Sequence, residues 1–257
     1  MKRWILMTSG KGGVGKSLVA RLLVEMKREA EPATWLVDGD GEVGQLVQYL
    51  GRRDSSGRLL REQRGDEGVA TFALHGWRDD AGMRNVLDGL IRPLQDASAD
   101  VLVDLPAASL GVLAALEREA GLSAGAARLG YRPTLVVPLS PMLASRTSIA
   151  DALDLGDGRR GGAFGILGQR RRLSALAEFG TAFAALCRRR RGTRPPALAR
   201  LDRRRSGRKH LPFAAGTRPG VLDYPDDELL SHWLRQARTA LSGAGLLLGV
   251  WGAALRA

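Results

Sequence analysis

The sequence predicts an α/β fold: a doubly wound, mostly parallel sheet with helices on both faces, arranged in three layers. Three observations support this prediction. Short apolar runs alternate with segments whose apolar residues recur at helical spacing. A glycine-rich stretch follows the first apolar run, and two later apolar runs each end in an aspartate. Ligands of doubly wound sheets bind at the C-terminal ends of the strands, so these features are expected to share one site.

The first elements follow from local patterns. An apolar run predicts a buried strand at about residues 3–8, and helical spacing predicts a helix over 16–30. A second strand is expected over 34–38. Residues 51–68 are rich in Arg, Gly, Ser and Asp and are interpreted as a surface loop or a loose helix, and residues 69–74 as a short strand.

The alternation continues beyond residue 80. The sequence predicts a helix over 81–95, a strand over 100–104, a helix near 108–120, a strand over 134–138 and a helix over 145–155. Each strand is thus followed by a helix, which is the pattern that builds a parallel sheet.

The pattern is less regular after about residue 156, so residues 156–257 are interpreted as the C-terminal part of the same domain. A strand over 163–168 and a helix from 226 to about 242 are expected there. Residues 188–209 are rich in Arg, Pro and Ala, and both a disordered segment and a degraded one fit that composition. The apolar tail 245–255 lacks a basic polar face, which favours core packing or a dimer contact over a membrane contact.

Residues 10–17 read G-K-G-G-V-G-K-S and fit the phosphate-binding pattern G-x-x-x-x-G-K-[ST]. The preceding strand and the following helix are the context that this pattern requires. Glycines let successive backbone N–H groups face one anion, and the start of the helix adds partial positive charge. Lys16 is expected to reach the β- and γ-phosphates, and the Ser17 hydroxyl to bind Mg²⁺. The nucleotide-binding residues expected are Gly10, Lys11, Gly12, Gly13, Val14, Gly15, Lys16 and Ser17.

Two further strands end in acids beside this loop. The run T-W-L-V-D closes at Asp38 and continues with Gly39 and Asp40. The run D-V-L-V-D closes at Asp104, which resembles a Walker B aspartate and is expected to hold Mg²⁺ through a water molecule. Pro106 is expected to mark a sharp exit from that strand.

Lys11 makes K-G-G-V-G-K-S resemble the deviant Walker A motif of the ParA/MinD family of P-loop ATPases. The resemblance covers about residues 1–155 and implies the P-loop NTPase fold. It implies that Lys11 contacts the phosphates of a partner subunit in an ATP-bound homodimer. It also implies that Asp38 lies near Mg²⁺ and that Asp40 orients the attacking water. On this basis the catalytic residues are Lys11, Lys16 and Asp40, the metal-binding residues are Ser17, Asp38 and Asp104, and the cofactors are ATP and Mg²⁺.

The function that this resemblance implies is an ATP-dependent dimerising switch with an activating partner protein. It would act in plasmid or chromosome partition, or in conjugal transfer as TraL-type proteins do. Two alternatives remain: a metabolic ATP-dependent enzyme similar to dethiobiotin synthetase, and a DNA-binding regulator that does not hydrolyse ATP. The presence of Lys11, Asp38 and Asp40 argues against the regulator.

The net positive charge of the chain comes entirely from its C-terminal part. Residues 1–158 contain 19 Lys and Arg against 21 Asp and Glu, whereas residues 159–257 contain 20 against 6. Such arginine clusters bind DNA phosphates with little sequence preference, so binding to nonspecific double-stranded DNA and a merely solvated basic surface both remain open.

The single cysteine, Cys187, excludes an internal disulfide framework and indicates a reducing compartment. It also excludes the iron–sulfur relatives of the family, which need two cysteines in each subunit. The N-terminal residues run straight into the first strand, so no signal peptide is expected. We therefore expect a cytoplasmic protein without membrane attachment.

Overall fold

The computed structural model describes residues 2–10, 12–30, 34–75, 79–138, 155, 165–166, 231, 234, 235, 238 and 241. Six strands lie in one sheet: β1 (Lys2–Ser9), β2 (Thr34–Asp38), β3 (Ala70–Thr71), β4 (Asp100–Ala107), β5 (Tyr131–Val136) and β6 (Gly165–Ile166). Their order is β3-β2-β4-β1-β5-β6, and every pairing between them is parallel. The predicted parallel sheet is therefore confirmed.

Helices cover both faces of the sheet, as predicted. They are α1 (Lys16–Ala30), α2 (Gln45–Leu50), α3 (Asp80–Asp96), α4 (Ser109–Ala120) and α5 (Leu122–Arg128), with a 3-10 turn at Gly41–Val43. Alternate residues along each strand point to opposite faces of the sheet. On one face they pack with α1 and α2, and on the other with α3, α4 and α5. Each leucine-sized side chain that is fully buried in this way stabilises the fold by about 1.5–3 kcal/mol.

The C-terminal part of the chain contributes to the core on the α1 side. All five described residues between 231 and 241 are helical, which agrees with the helix predicted there. Leu234 and Leu241 are seven residues apart, so they share one side of the helix, and both are buried in the cluster that contains α1. Between them, Arg238 donates to the two carboxylate oxygens of Glu29 at 2.7 and 2.6 Å.

The segment between α2 and β3 contains a hydrogen-bonded hairpin rather than a loose helix. Arg53 and Leu59 form an antiparallel bridge. One carboxylate oxygen of Asp54 accepts the backbone N–H groups of Ser56 and Arg58, at 2.9 and 3.0 Å. Aspartate favours such turns because its side chain bonds backbone groups two or more residues ahead. The polar composition that predicted a loop is therefore the chemistry of an ordered turn.

Several boundaries differ from the sequence prediction. A further helix, α5, follows α4 because Gly121 adopts a φ of 58° and ends the first helix. Strand β5 begins at Tyr131, three residues before the predicted start, and β3 is only two residues long. Of the helix predicted over 145–155, only residue 155 is described, and it is helical; residues 188–209 and 245–255 lie outside the described residues. In the part of the chain that is described, no helix is long and apolar enough to cross a bilayer.

Candidate nucleotide-binding site

The glycine-rich loop joins the end of β1 to the start of α1, as the sequence predicts. Gly13 and Gly15 have φ values of 77° and 87°, a left-handed region in which residues with a Cβ are strained. Helix α1 begins at Lys16, and its first backbone N–H groups have no partner within the helix. The loop therefore presents backbone donors of the kind that bind phosphate. Lys11 lies outside the described residues.

Lys16 and Asp104 meet at the centre of the site. The Lys16 Nζ lies 2.5 Å from Asp104 Oδ1 and 3.3 Å from Ser17 Oγ. Asp104 is buried, and burial raises its carboxyl pKa, while the charge and hydrogen bond of Lys16 oppose that rise. Strand β4 is the neighbour of β1, with Met7 opposite Asp104, so the sheet brings together two motifs that are 88 residues apart.

Asp38 lies on the next strand, directly opposite Asp104 in the register of β2 and β4. Its carboxylate is buried and accepts two backbone N–H groups, from Asp40 to Oδ1 and from Val47 to Oδ2, both at 3.0 Å. Burial raises the pKa of Asp38 to about 6, although these hydrogen bonds act in the opposite direction and Asp104 adds to the rise. Asp38 therefore holds the loop that follows β2, and its predicted role near Mg²⁺ stays a prediction.

Gly44 shows how closely that loop packs on Asp38. A Cβ added at Gly44 would lie 2.0 Å from Asp38 Oδ1 and 2.1 Å from its Cγ. A side chain at this position would force the buried carboxylate to shift, since real Cβ atoms essentially never approach within 3.0 Å. The sequence pattern did not identify Gly44 as part of the site.

Asp40 lies at the exposed rim of the site, immediately before the 3-10 turn. Its charge contributes to raising the pKa of Asp104, so the two carboxylates are near enough to interact. The backbone of Asp40 is fixed by a bridge to Ala73. An exposed carboxylate in this position can accept a hydrogen bond from water. The water-orienting role of Asp40 stays a prediction.

Strand β4 continues through Pro106 to Ala107, so the predicted strand exit at Pro106 is wrong. The pairing of β1 with β4 shifts between Met7 and Ser9, and two residues of β4, Leu105 and Pro106, oppose Thr8. A bulge interrupts the ladder of hydrogen bonds, and it tolerates a residue without an N–H group. The true exit is Ala108, the only described residue other than glycine with a positive φ, at 60°.

Several side chains around this exit were not identified from the sequence. The hydroxyl groups of Thr8 and Ser109 lie 2.6 Å apart in a buried contact. His75 Nε2 lies 3.1 Å from the Ala107 carbonyl oxygen. Pairs so distant in sequence leave no local pattern, and a lone histidine in a loop predicts nothing by itself.

The side-chain oxygens of Ser17 and Asp104 are of the type that binds magnesium. Among the residues that the structure describes, no three His, Cys, Asp or Glu side chains converge on one metal position. Mg²⁺ is commonly held by one or two protein oxygens, with waters and substrate phosphates completing its coordination. Ser17 and Asp104, which both contact Lys16, supply oxygens of this type.

A second concavity lies against α3, on the face of β2 that carries Trp35 and Val37. It has a volume of about 830 Å³, and residues of β2, β3 and α3 line it, with Trp35 and Phe72 as its aromatic groups. None of its lining residues belongs to the glycine-rich loop. This concavity is therefore separate from the nucleotide-binding site.

No protein-family model and no curated protein matches the chain. Among solved structures, a ParA family ATPase from Chlorobium tepidum TLS is 14% identical with a TM-score of 0.44, over 91% of this chain and 98% of that one. The MinD cell division protein of Aquifex aeolicus is 13% identical with a TM-score of 0.39, over 91% and 96%. The strand order, the parallel pairings and the loop between β1 and α1 make this chain an α/β fold of the P-loop NTPase type.

Proposed function

We propose that this chain binds Mg²⁺ and ATP at the loop 10–17 and hydrolyses ATP to ADP and phosphate. The observation that carries the proposal is the contact between Lys16 and Asp104. The ammonium group at the start of α1 binds a carboxylate of the neighbouring strand. Phosphate oxygens are anionic acceptors of the same kind, so a nucleotide offers Lys16 an equivalent partner.

The chemistry of hydrolysis divides among few residues. Bound Mg²⁺ would neutralise charge on the phosphates, and Ser17 and Asp104 supply protein oxygens for it. Lys16 binds phosphate oxygens and stabilises negative charge that develops in the transition state. Asp40 orients water from the rim of the site, and Asp38 holds the Asp40 loop through its two backbone hydrogen bonds.

A dimerising switch extends this proposal. The sequence K-G-G-V-G-K-S resembles that of ParA and MinD proteins, and on this resemblance Lys11 contacts the phosphates bound by a second copy. Plasmid or chromosome partition and conjugal transfer are the settings that the resemblance supports, with a partner protein that stimulates hydrolysis. The excess of basic residues after residue 158 supports nonspecific binding to double-stranded DNA, whose affinity should then fall steeply as salt is added.

Replacing Lys16 tests nucleotide binding directly. Lys16→Ala removes a charge-assisted hydrogen bond to phosphate, and we expect the affinity for ATP with Mg²⁺ to weaken by about 1.5–3 kcal/mol. Isothermal titration calorimetry measures this change. Arg28→Ala is the matched control, because it removes a cation from the exposed end of the same helix, away from the loop. Equal ATP affinity in the Lys16→Ala protein and the wild type would contradict the proposal.

A further inference from the structure

The turn between β4 and α4 lies beside the phosphate loop and is held in a strained conformation. It consists of Ala108, which has φ 60° and ψ 23°, a region that residues with a Cβ rarely adopt. The peptide bond that precedes Ala108 is held from both sides. Its N–H donates to the Ser9 carbonyl oxygen at 2.8 Å, and its carbonyl oxygen, on Ala107, contacts His75 Nε2 at 3.1 Å.

Each of these contacts connects the turn to a part of the site. Ser9 ends β1 and directly precedes the glycine-rich loop. A Cβ added at Gly12 would lie 3.7 Å from the Ala107 Cβ, so the loop and the turn are in van der Waals range. Asp104 lies three residues before Ala107 on the same strand. A rotation of this peptide bond would therefore disturb both the phosphate loop and the strand that carries Asp104.

His75 approaches from the connection between β3 and α3. Its ring is exposed, and the contact spans 32 residues. A carbonyl oxygen only accepts hydrogen bonds, so Nε2 carries the proton in this contact. Without the imidazole, the Ala107 carbonyl loses this side-chain donor, and the Ser9 hydrogen bond alone then opposes release of the left-handed conformation of Ala108.

We infer that His75 is a positioning residue, which holds the turn after β4 in the arrangement that ATP hydrolysis uses. This inference rests on the proposed ATPase function. His75 acts through the turn: among the hydrogen bonds of the described residues, none joins His75 to the phosphate-binding groups Lys16 and Ser17. Its loss should therefore lower kcat and leave KM for ATP close to the wild-type value.

Three variants test the inference: His75→Ala, His75→Gln and, as a matched control, Gln63→Ala. Gln63 also donates to backbone carbonyl oxygens, but to those of Arg52 and Leu60, in the segment between α2 and β3. We expect His75→Ala to lower kcat about fivefold, the equivalent of one ordinary hydrogen bond. Gln retains an N–H donor and should restore most of the rate, and Gln63→Ala should leave it unchanged.

Amide hydrogen exchange, followed by mass spectrometry, gives a readout that does not depend on catalysis. His75→Ala should speed exchange in peptides that contain Ala108 and Leu110, and His75→Gln should not. Unchanged kcat and unchanged exchange in His75→Ala, or a His75→Gln protein as impaired as His75→Ala, would overturn the inference. If the wild type hydrolyses no ATP, the proposed function fails, and the exchange rates still decide whether His75 holds the turn.

Discussion

At the scale of single residues, the buried carboxyl group of Asp38 makes stability depend on pH. Its pKa is raised to about 6 in the folded protein, above its ordinary value of 3.8. Between these two values the folded state retains a proton that the unfolded state releases, so stability falls as pH rises from about 4 to 6. The free energy of unfolding that is lost in this way is on the order of 3 kcal/mol, and the loss is complete once the pH is well above 6.

Urea unfolding of the wild type and of Asp38→Asn at several pH values measures this effect. The asparagine variant does not titrate, so its free energy of unfolding should fall less between pH 4 and 6. The raised pKa of Asp104 acts in the same direction, so the asparagine variant should keep part of the pH dependence. Identical slopes in the two proteins would show that Asp38 does not carry the effect.

Gly44 is constrained by that same carboxylate. We expect Gly44→Ala to destabilise the protein by about 1–3 kcal/mol, because the new methyl group overlaps the buried Asp38 side chain. Gly111→Ala is the control, since a Cβ there has no atom within 4 Å and lies on helix α4. That change should stabilise by about 0.5–1 kcal/mol. Denaturant unfolding measures both, and effects of the same sign would refute the packing argument.

At the scale of elements, the C-terminal helical residues depend on their packing near α1. Leu241 is buried in the core cluster of α1 and β1. Leu241→Ala should therefore cost about 2–5 kcal/mol of unfolding free energy. Val43 is a large apolar residue with 75% of its surface exposed, so Val43→Ala should change stability by less than about 0.5 kcal/mol. A Leu241→Ala protein as stable as the wild type would mean that Leu241 adds nothing to the core.

Two irregularities of the backbone, a bulge between β1 and β4 and the turn at Ala108, lie between Asp104 and helix α4. The bulge opposite Thr8 lets β4 continue past Asp104, and Ala108 then turns the chain into α4 within one residue. The aspartate consequently lies before the end of its strand, at the level of Met7 in β1.

At the scale of the whole molecule, the proposed switch predicts changes in association state. The Asp40→Ala protein should still bind the phosphates through its loop 10–17, but it should no longer orient the attacking water. ATP should therefore trap this variant as a dimer. Lys11→Ala should bind ATP and remain monomeric, since its contact would be made across the dimer. Light scattering with ATP and Mg²⁺ measures both states. A monomeric Asp40→Ala protein or a dimeric Lys11→Ala protein would contradict the dimer mechanism.

The sequence by itself determined the features that depend on short-range spacing. A strand, a glycine-rich loop and a helix follow one another within residues 2–30, and each has a local signal in apolar periodicity or glycine content. Asp38 at the end of β2 was also predicted, because an apolar run closed by aspartate is a local pattern. The same pattern identified Asp104, but this residue lies three positions before the end of β4. Parallel pairing then follows from the alternation of strands and helices.

Only the tertiary structure decided which distant groups meet. The strand order brings Lys16 to Asp104, the loop after β2 turns two backbone N–H groups onto Asp38, and His75 reaches Ala107 across 32 residues. Helical and strand periodicities specify which face a residue lies on, but not which strand becomes its neighbour. Contacts between such neighbours depend on strand order and on loop paths, and these are set by the packing of the whole sheet with its helices.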